Sequence, residues 1–214
     1  MGRRVLPKKD PNIDFSAYFT EVDLLSVPWD PQTFFDRPQD LEIEVGSGKG
    51  LFVLNASEAD PDRNFLGNEI AHKYCHFAAY RLAQKQRSNA RMLRGDGLRL
   101  FREHLPAESA VAVHVYFPDP WWKARHRRRR VIQPQFIEDI QRVLKLNGVF
   151  HFWTDVEEYF EVTLALMKAH SRLSGPHSVE IKPAEHDLDY RTHFERRMRK
   201  LEHDVFRAQF VKSS

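Results

Sequence analysis

From Leu41 onward, short apolar runs alternate with longer segments of helical periodicity, and that alternation limits what the chain can fold into. "LEIEVG", "NFLGNEI", "ARMLRGD", "AVAVHVYF" and "VFHFWTD" read as strands at 41–46, 64–70, 90–96, 110–117 and 149–155. Between and after them, 49–59, 71–85, 133–148 and 156–171 carry helix patterns, the third stopped by Asn147-Gly148. The fourth strand is apolar almost throughout, as burial on both faces requires. Strands and helices in this rhythm give an α/β fold with a doubly wound, mostly parallel sheet. "HSVEIKP" (177–183) and "DVFRAQFVK" (204–212) would add an antiparallel C-terminal edge.

With 214 residues, 42% of them hydrophobic, the chain suits one core. Pro7, Pro11, Pro28, Pro31 and Pro38 break up the beginning, so 1–38 reads as an irregular arm and 39–214 as the folded domain. Net charge is only +3, but cations gather at 123–130 and again at 196–200. The lone Cys75 excludes an internal disulfide and a multi-cysteine metal site, which fits the reducing cytoplasm. No run approaches a membrane span, no signal peptide opens the chain, and no obligate protein partner is evident. His72, Cys75 and His76 share one helix but lack further ligands, so packing is their expected role. The polar run at 186–190 reads as a loop.

Ligands of doubly wound sheets bind outside the carboxyl ends of the strands. Acids stand at those ends: Glu44, Glu69, Asp96 and Asp119 on the first four strands, Asp155 on the fifth. The first turn, "EVGSGKG", places Gly46 and Gly48 where backbone must bend sharply or pass close to a ligand. Glu69 follows about 20 residues on, the spacing of an acid that bonds a ribose hydroxyl pair. A pyrophosphate would be repelled by Glu44. S-adenosylmethionine, with an amine, a sulfonium, a ribose and an adenine amine, suits a ring of carboxylates.

The most unusual stretch is "FPDPWWKARHRRRR", in which Pro118 and Pro120 stiffen the backbone around Asp119 and cations follow at once. Such a strip suits the phosphates of a nucleic acid, and Trp121 or Trp122 could stack on an unpaired base.

Together with "EVGSGKG", "GNEI", "RGD", "LNGVFHFWTDVEEYF" and "THFE", this stretch resembles the bacterial tRNA (guanine-N7-)-methyltransferases, from about residue 41 to 210. The resemblance implies a Rossmann-like class I S-adenosylmethionine-dependent methyltransferase acting on tRNA in the cytoplasm. It implies cofactor contacts at Glu44, Gly46, Gly48, Glu69, Asp96 and Asp119, with Asp119 also catalytic. Lys123, Asp155, Thr192, His193, Phe194 and Glu195 would contact the substrate, and Arg125, His126, Arg127, Arg128, Arg129 and Arg130 the RNA. No metal is implied. The chain departs from the family pattern at Asn68, Trp122, His193 and Phe194. Two other readings remain: a methyltransferase for another nucleic acid or a protein, and a tRNA-binding protein without catalysis.

Overall fold

A computed structural model of the chain describes residues 6–179, 191–201 and 203–213. Among these residues one eight-stranded sheet runs through the molecule in the order β1-β4-β3-β2-β5-β6-β8-β7. The strands are β1 (Phe19–Glu21), β2 (Asp40–Val45), β3 (Arg63–Glu69), β4 (Ala90–Arg94), β5 (Ala110–Tyr116), β6 (Leu144–Thr154), β7 (Ser174–His177) and β8 (Phe206–Val211). Pairing is parallel from β1 through β6, and β8 then runs antiparallel to both β6 and β7. The helices are α1 (Leu51–Ala59), α2 (His72–Gln84), α3 (Gly97–Arg99), α4 (Pro134–Val143), α5 (Glu157–His170) and α6 (His193–Lys200).

Side chains alternate across a strand, and β2 shows the consequence. Leu41, Ile43 and Val45 enter the larger core with Phe136, Ile140 and Tyr159 from α4 and α5. Glu42 and Glu44 face the other side, where α1 and α2 supply Phe52, Val53, Ala78 and Leu82. Nothing apolar on β2 is left exposed. The strand therefore tolerates acids only on the face that also builds the site.

Two elements differ from expectation. The third helix, expected over 133–148, ends at Val143, and fully buried Leu144 already begins β6. Asn147, with φ 63°, and Gly148 do not stop a helix; they form a bend within β6. The ladder with β5 shifts register there, and Asn147 N–H donates to the Lys212 carbonyl at 2.9 Å. The short antiparallel strand expected over 177–183 lies earlier, at Ser174–His177, and residues from 180 to 183 fall outside those described.

The proline-rich beginning is built into the molecule. β1 adds a parallel edge strand beside β4, and Val22, Trp29 and Phe35 are buried. Buried Arg91 on β4 fastens it, its guanidinium lying 5.0 Å from the Tyr18 ring centroid and 5.6 Å from that of Phe35.

Candidate functional site

The strand order reverses between β2 and β5, so a crevice opens at their carboxyl ends. The first turn forms its near wall. Gly46 and Gly48 take φ values of +81° and +53°, which glycine alone adopts freely, and a Cβ at either would meet nothing within 4 Å. Backbone bends here while leaving open space in front of it. The Gly46 and Ser47 amides both donate to the Asn68 carbonyl, and the Asn68 side chain donates onward to the Leu93 and Gly95 carbonyls. Asn68 thus ties the turns after β2 and β4 to β3, and an aliphatic residue could supply the first tie, through its backbone carbonyl, but not the second.

The acids of the strand ends stand in different states. Glu44 lies within β2, only 3% exposed, and its Oε2 is buried without a hydrogen-bond partner. Burial, with the nearby Glu69 charge adding to it against a Ser47 hydrogen bond, pushes the Glu44 carboxyl up to about 8. Glu69 closes β3 and accepts from Gly48 N at 2.8 Å and Ala71 N at 2.7 Å. Each of its oxygens keeps acceptor capacity for a ligand. Asp96 caps α3 by accepting from Leu98 N at 2.9 Å. Asp155, partly buried, follows β6 directly.

Asp119 is exposed on the loop after β5. That loop is bent by two non-glycine residues in the left-handed region, Phe117 at φ 50° and Trp121 at φ 46°. The cationic strip then coils into a 3-10 turn, Ala124–Arg129, with Lys123, Arg125, Arg127, Arg128 and Arg129 exposed and His126 half-buried. Trp121 packs locally: Arg129 sits 5.1 Å from its ring centroid and His126 meets it edge-on at 5.8 Å. Trp122 is 65% exposed and free to stack.

Two of the expected contacts are buried. Arg130, expected among the RNA contacts, is buried and turned inward. Its guanidinium pairs with Glu158 and donates to the Pro120 carbonyl, so no phosphate reaches it. Glu195, expected as a substrate contact, is also buried. It accepts from Arg191 N at 2.7 Å and pairs with Arg207, while Thr192 Oγ1 accepts from Glu195 N at 2.9 Å. Thr192 thus N-caps α6 with the T-x-x-E spacing of a capping box, while Glu195 reaches back one residue beyond the N-cap, to Arg191. Phe194 is partly exposed with its ring 4.9 Å from Phe117, next to the Asp119 loop. The side chain of His193 and residues 186–190 lie outside those described.

A buried polar chain, not foreseen from the sequence, runs beneath the crevice. Arg191 donates to the Tyr116 hydroxyl at 2.8 Å, Tyr116 lies 2.8 Å from His114 Nδ1, and His114 Nε2 lies 2.9 Å from Glu42. Arginine only donates and an ionised carboxylate only accepts, so the Tyr116 hydroxyl donates a hydrogen bond to Nδ1 and neutral His114 donates from Nε2 to Glu42. Strand alternation was the available signal, since Glu42 and Glu44 must share a face.

The sheet order and the crevice together define a class I methyltransferase fold. Among solved structures, the chain superposes on the 16S rRNA methyltransferase KamB with a TM-score of 0.59, at 16% identity over 82% of this chain and 89% of that one. The tRNA (m1A58) methyltransferase TrmI from Aquifex aeolicus gives 0.53 at 14% identity, over 82% and 63%. A protein-family profile described as putative methyltransferase matches residues 38–208. A tRNA (guanine-N(7)-)-methyltransferase from Rhodopirellula baltica is 44% identical over 100% of this chain and 81% of its own length. One from Alcanivorax borkumensis is 34% identical over 85% and 76%. The chain belongs to the tRNA (guanine-N(7)-)-methyltransferase family.

Proposed function

We propose that the protein transfers a methyl group from S-adenosylmethionine to N7 of a guanosine in the variable loop of tRNA, in the cytoplasm. The observation that carries this reading is the placement of the Asp119 corner and its cationic strip beside the crevice, in a chain of this family.

The crevice fits the cofactor. Glu44 Oε2, buried and without a partner, awaits a cation of the kind an amino group supplies, and Gly46 and Gly48 keep space clear before it. Glu69 has acceptor capacity for a ribose hydroxyl pair, and Asp96 stands at the next strand end for an adenine amine. When bound, the cofactor supplies an electrophilic methyl on a sulfonium. Guanine N7 carries an in-plane lone pair, so no residue has to remove a proton before attack. The chain's task is positioning and charge. Asp119 holds a carboxylate where positive charge passes to the purine. Lys123, Asp155, Thr192 and Phe194 surround the guanine, while Glu195 shapes the end of α6 from beneath. Arg125, His126, Arg127, Arg128 and Arg129 hold phosphates, and Trp122 stacks on a base.

The test is methyl transfer from labelled cofactor to unmodified tRNA, followed by nuclease digestion and mass spectrometry. The expected product is 7-methylguanosine at one variable-loop position. Label on another base or on protein would favour the broader methyltransferase reading. Tight tRNA binding without transfer would favour a non-catalytic binding protein.

A further inference from the structure

Arg130 is chemically out of place. It ends a run of exposed arginines, yet it is 5% exposed and its charge is matched by a carboxylate of the protein itself, that of Glu158. Nε donates to the Pro120 carbonyl at 2.8 Å, and Nη2 donates to Glu158 Oε2 at 2.7 Å. Nη1 reaches Glu158 Oε1 at 3.4 Å, and the guanidinium lies 4.5 Å from the ring centroid of fully buried Tyr159. Glu158 and Tyr159 belong to the first turn of α5, the helix that follows the Asp155 strand end. One planar fork therefore joins the loop after β5 to the element after β6.

The contact point matters because Pro120 adjoins Asp119. On the other flank, Phe117 N–H donates to the Trp153 carbonyl of β6 at 2.7 Å. Between these two tethers lie only Pro118 and Asp119, and both prolines fix their own φ. The Asp119 backbone is thus held from both sides against β6 and α5. Tether and proline stiffness are complementary: prolines limit how the corner bends, and the tethers set where it stands.

We propose that Arg130 is a positioning residue for methyl transfer: by clamping the Pro120 carbonyl to Glu158 it sets the place of the Asp119 carboxylate. The proposal rests on the reading of Asp119 as the charge-bearing group of the reaction. Arg130 touches neither tRNA nor cofactor in this role. Lysine cannot replace it, because one ammonium cannot span the carbonyl and both carboxylate oxygens at once.

The test compares R130Q, R130K, E158A, D119N and the R130Q/D119N double variant in single-turnover methyl transfer, with separate measurements of tRNA and cofactor affinity. A misplacement near 1 Å can cost about 100-fold in rate. R130Q is expected to lose rate on that order, R130K to recover little of it, and both to bind tRNA and cofactor within about twofold of wild type by the same argument that positioning spares binding. Because the residue acts through Asp119, R130Q should cost nothing further in the D119N background. An equal penalty in both backgrounds, a wild-type rate in R130Q, or a loss confined to tRNA affinity would each overturn the proposal. D119N alone decides the underlying reading: a wild-type rate there removes Asp119, whereas a slow D119N beside a fast R130Q removes only the clamp. Should R130Q fail to fold, E158A decides, since Glu158 is partly exposed at the helix start. A slowed E158A whose penalty disappears in an added E158A/D119N double variant upholds the clamp, and an equal penalty in both backgrounds or a wild-type rate overturns it.

Discussion

At the residue scale, Glu44 shows how a site is kept ready at the expense of stability. Its carboxyl titrates near 8 in the fold against 4.5 ordinarily, so folding takes up a proton between those values. The sign follows: stability is intact below pH 4.5, falls as pH rises toward about 8, and is level beyond. E44Q removes that linkage. The melting temperature of E44Q without ligand should therefore exceed that of wild type by a margin that grows over this window and vanishes below pH 4.5. The same variant should bind S-adenosylmethionine at least about tenfold more weakly, since a charge-assisted hydrogen bond is worth roughly 1.5–3 kcal/mol. Identical melting curves at pH 9 would mean that burial does not penalise Glu44. The acids were legible in the sequence because strand ends are. Their states were not, because burial depends on neighbours: Cys75, also at a strand-facing position, is simply a buried thiol pushed up to about 12. Glu195 was legible in principle, its T-x-x-E spacing being a capping signature, but the same letters fit a substrate motif equally well.

At the scale of elements, the cationic 3-10 turn divides by direction. Arg125, Arg127, Arg128 and Arg129 face solvent, whereas Arg130, the next residue, returns to the core just before buried Ile132. No property of an arginine run reveals which member turns inward; that depends on where Glu158 stands. The electrostatic prediction therefore leaves Arg130 out and takes the consecutive exposed trio beside it. Replacing Arg127, Arg128 and Arg129 with glutamine should leave cofactor affinity unchanged and flatten the salt dependence of tRNA binding. Each phosphate that is no longer neutralised takes about 0.7–0.9 from the slope of log affinity against log salt, so the slope should fall by about 0.7–2.7. Affinities measured across a salt series decide it, and unchanged slopes would place the RNA on another face. The boundary between α4 and β6 departs from expectation for a related reason. Asn147-Gly148 is a chain-reversal signal in isolation, but strand pairing with β8 turned it into a bend within a strand.

At the scale of the molecule, alternation marked five of the six parallel strands, because the burial of each of those strands is written into its own residues. Partners joined across long separations were less visible. β1 is three residues long, and its pairing with β4 bridges more than 70 positions, as the contact of Glu21 with Arg94 records. Proline content suggested an arm, yet proline breaks only regular elements and does not prevent burial. Val22, Trp29 and Phe35 enter the main core, and Trp29 N–H donates to the His104 carbonyl at 2.9 Å. Burying three such side chains contributes about 5–9 kcal/mol, which rivals the total stability of about 5–15 kcal/mol expected of a domain. A chain beginning at residue 39 should therefore lose cooperative unfolding and bind S-adenosylmethionine poorly, although every acid of the crevice lies beyond that point. Removing only residues 1–9 should lower the melting temperature by no more than a few degrees, because among the described residues the buried anchors begin at Val22. Thermal melts of the two truncations beside the full chain separate the cases. A cooperative, cofactor-binding 39–214 fragment would show that the sheet needs no edge strand from the arm.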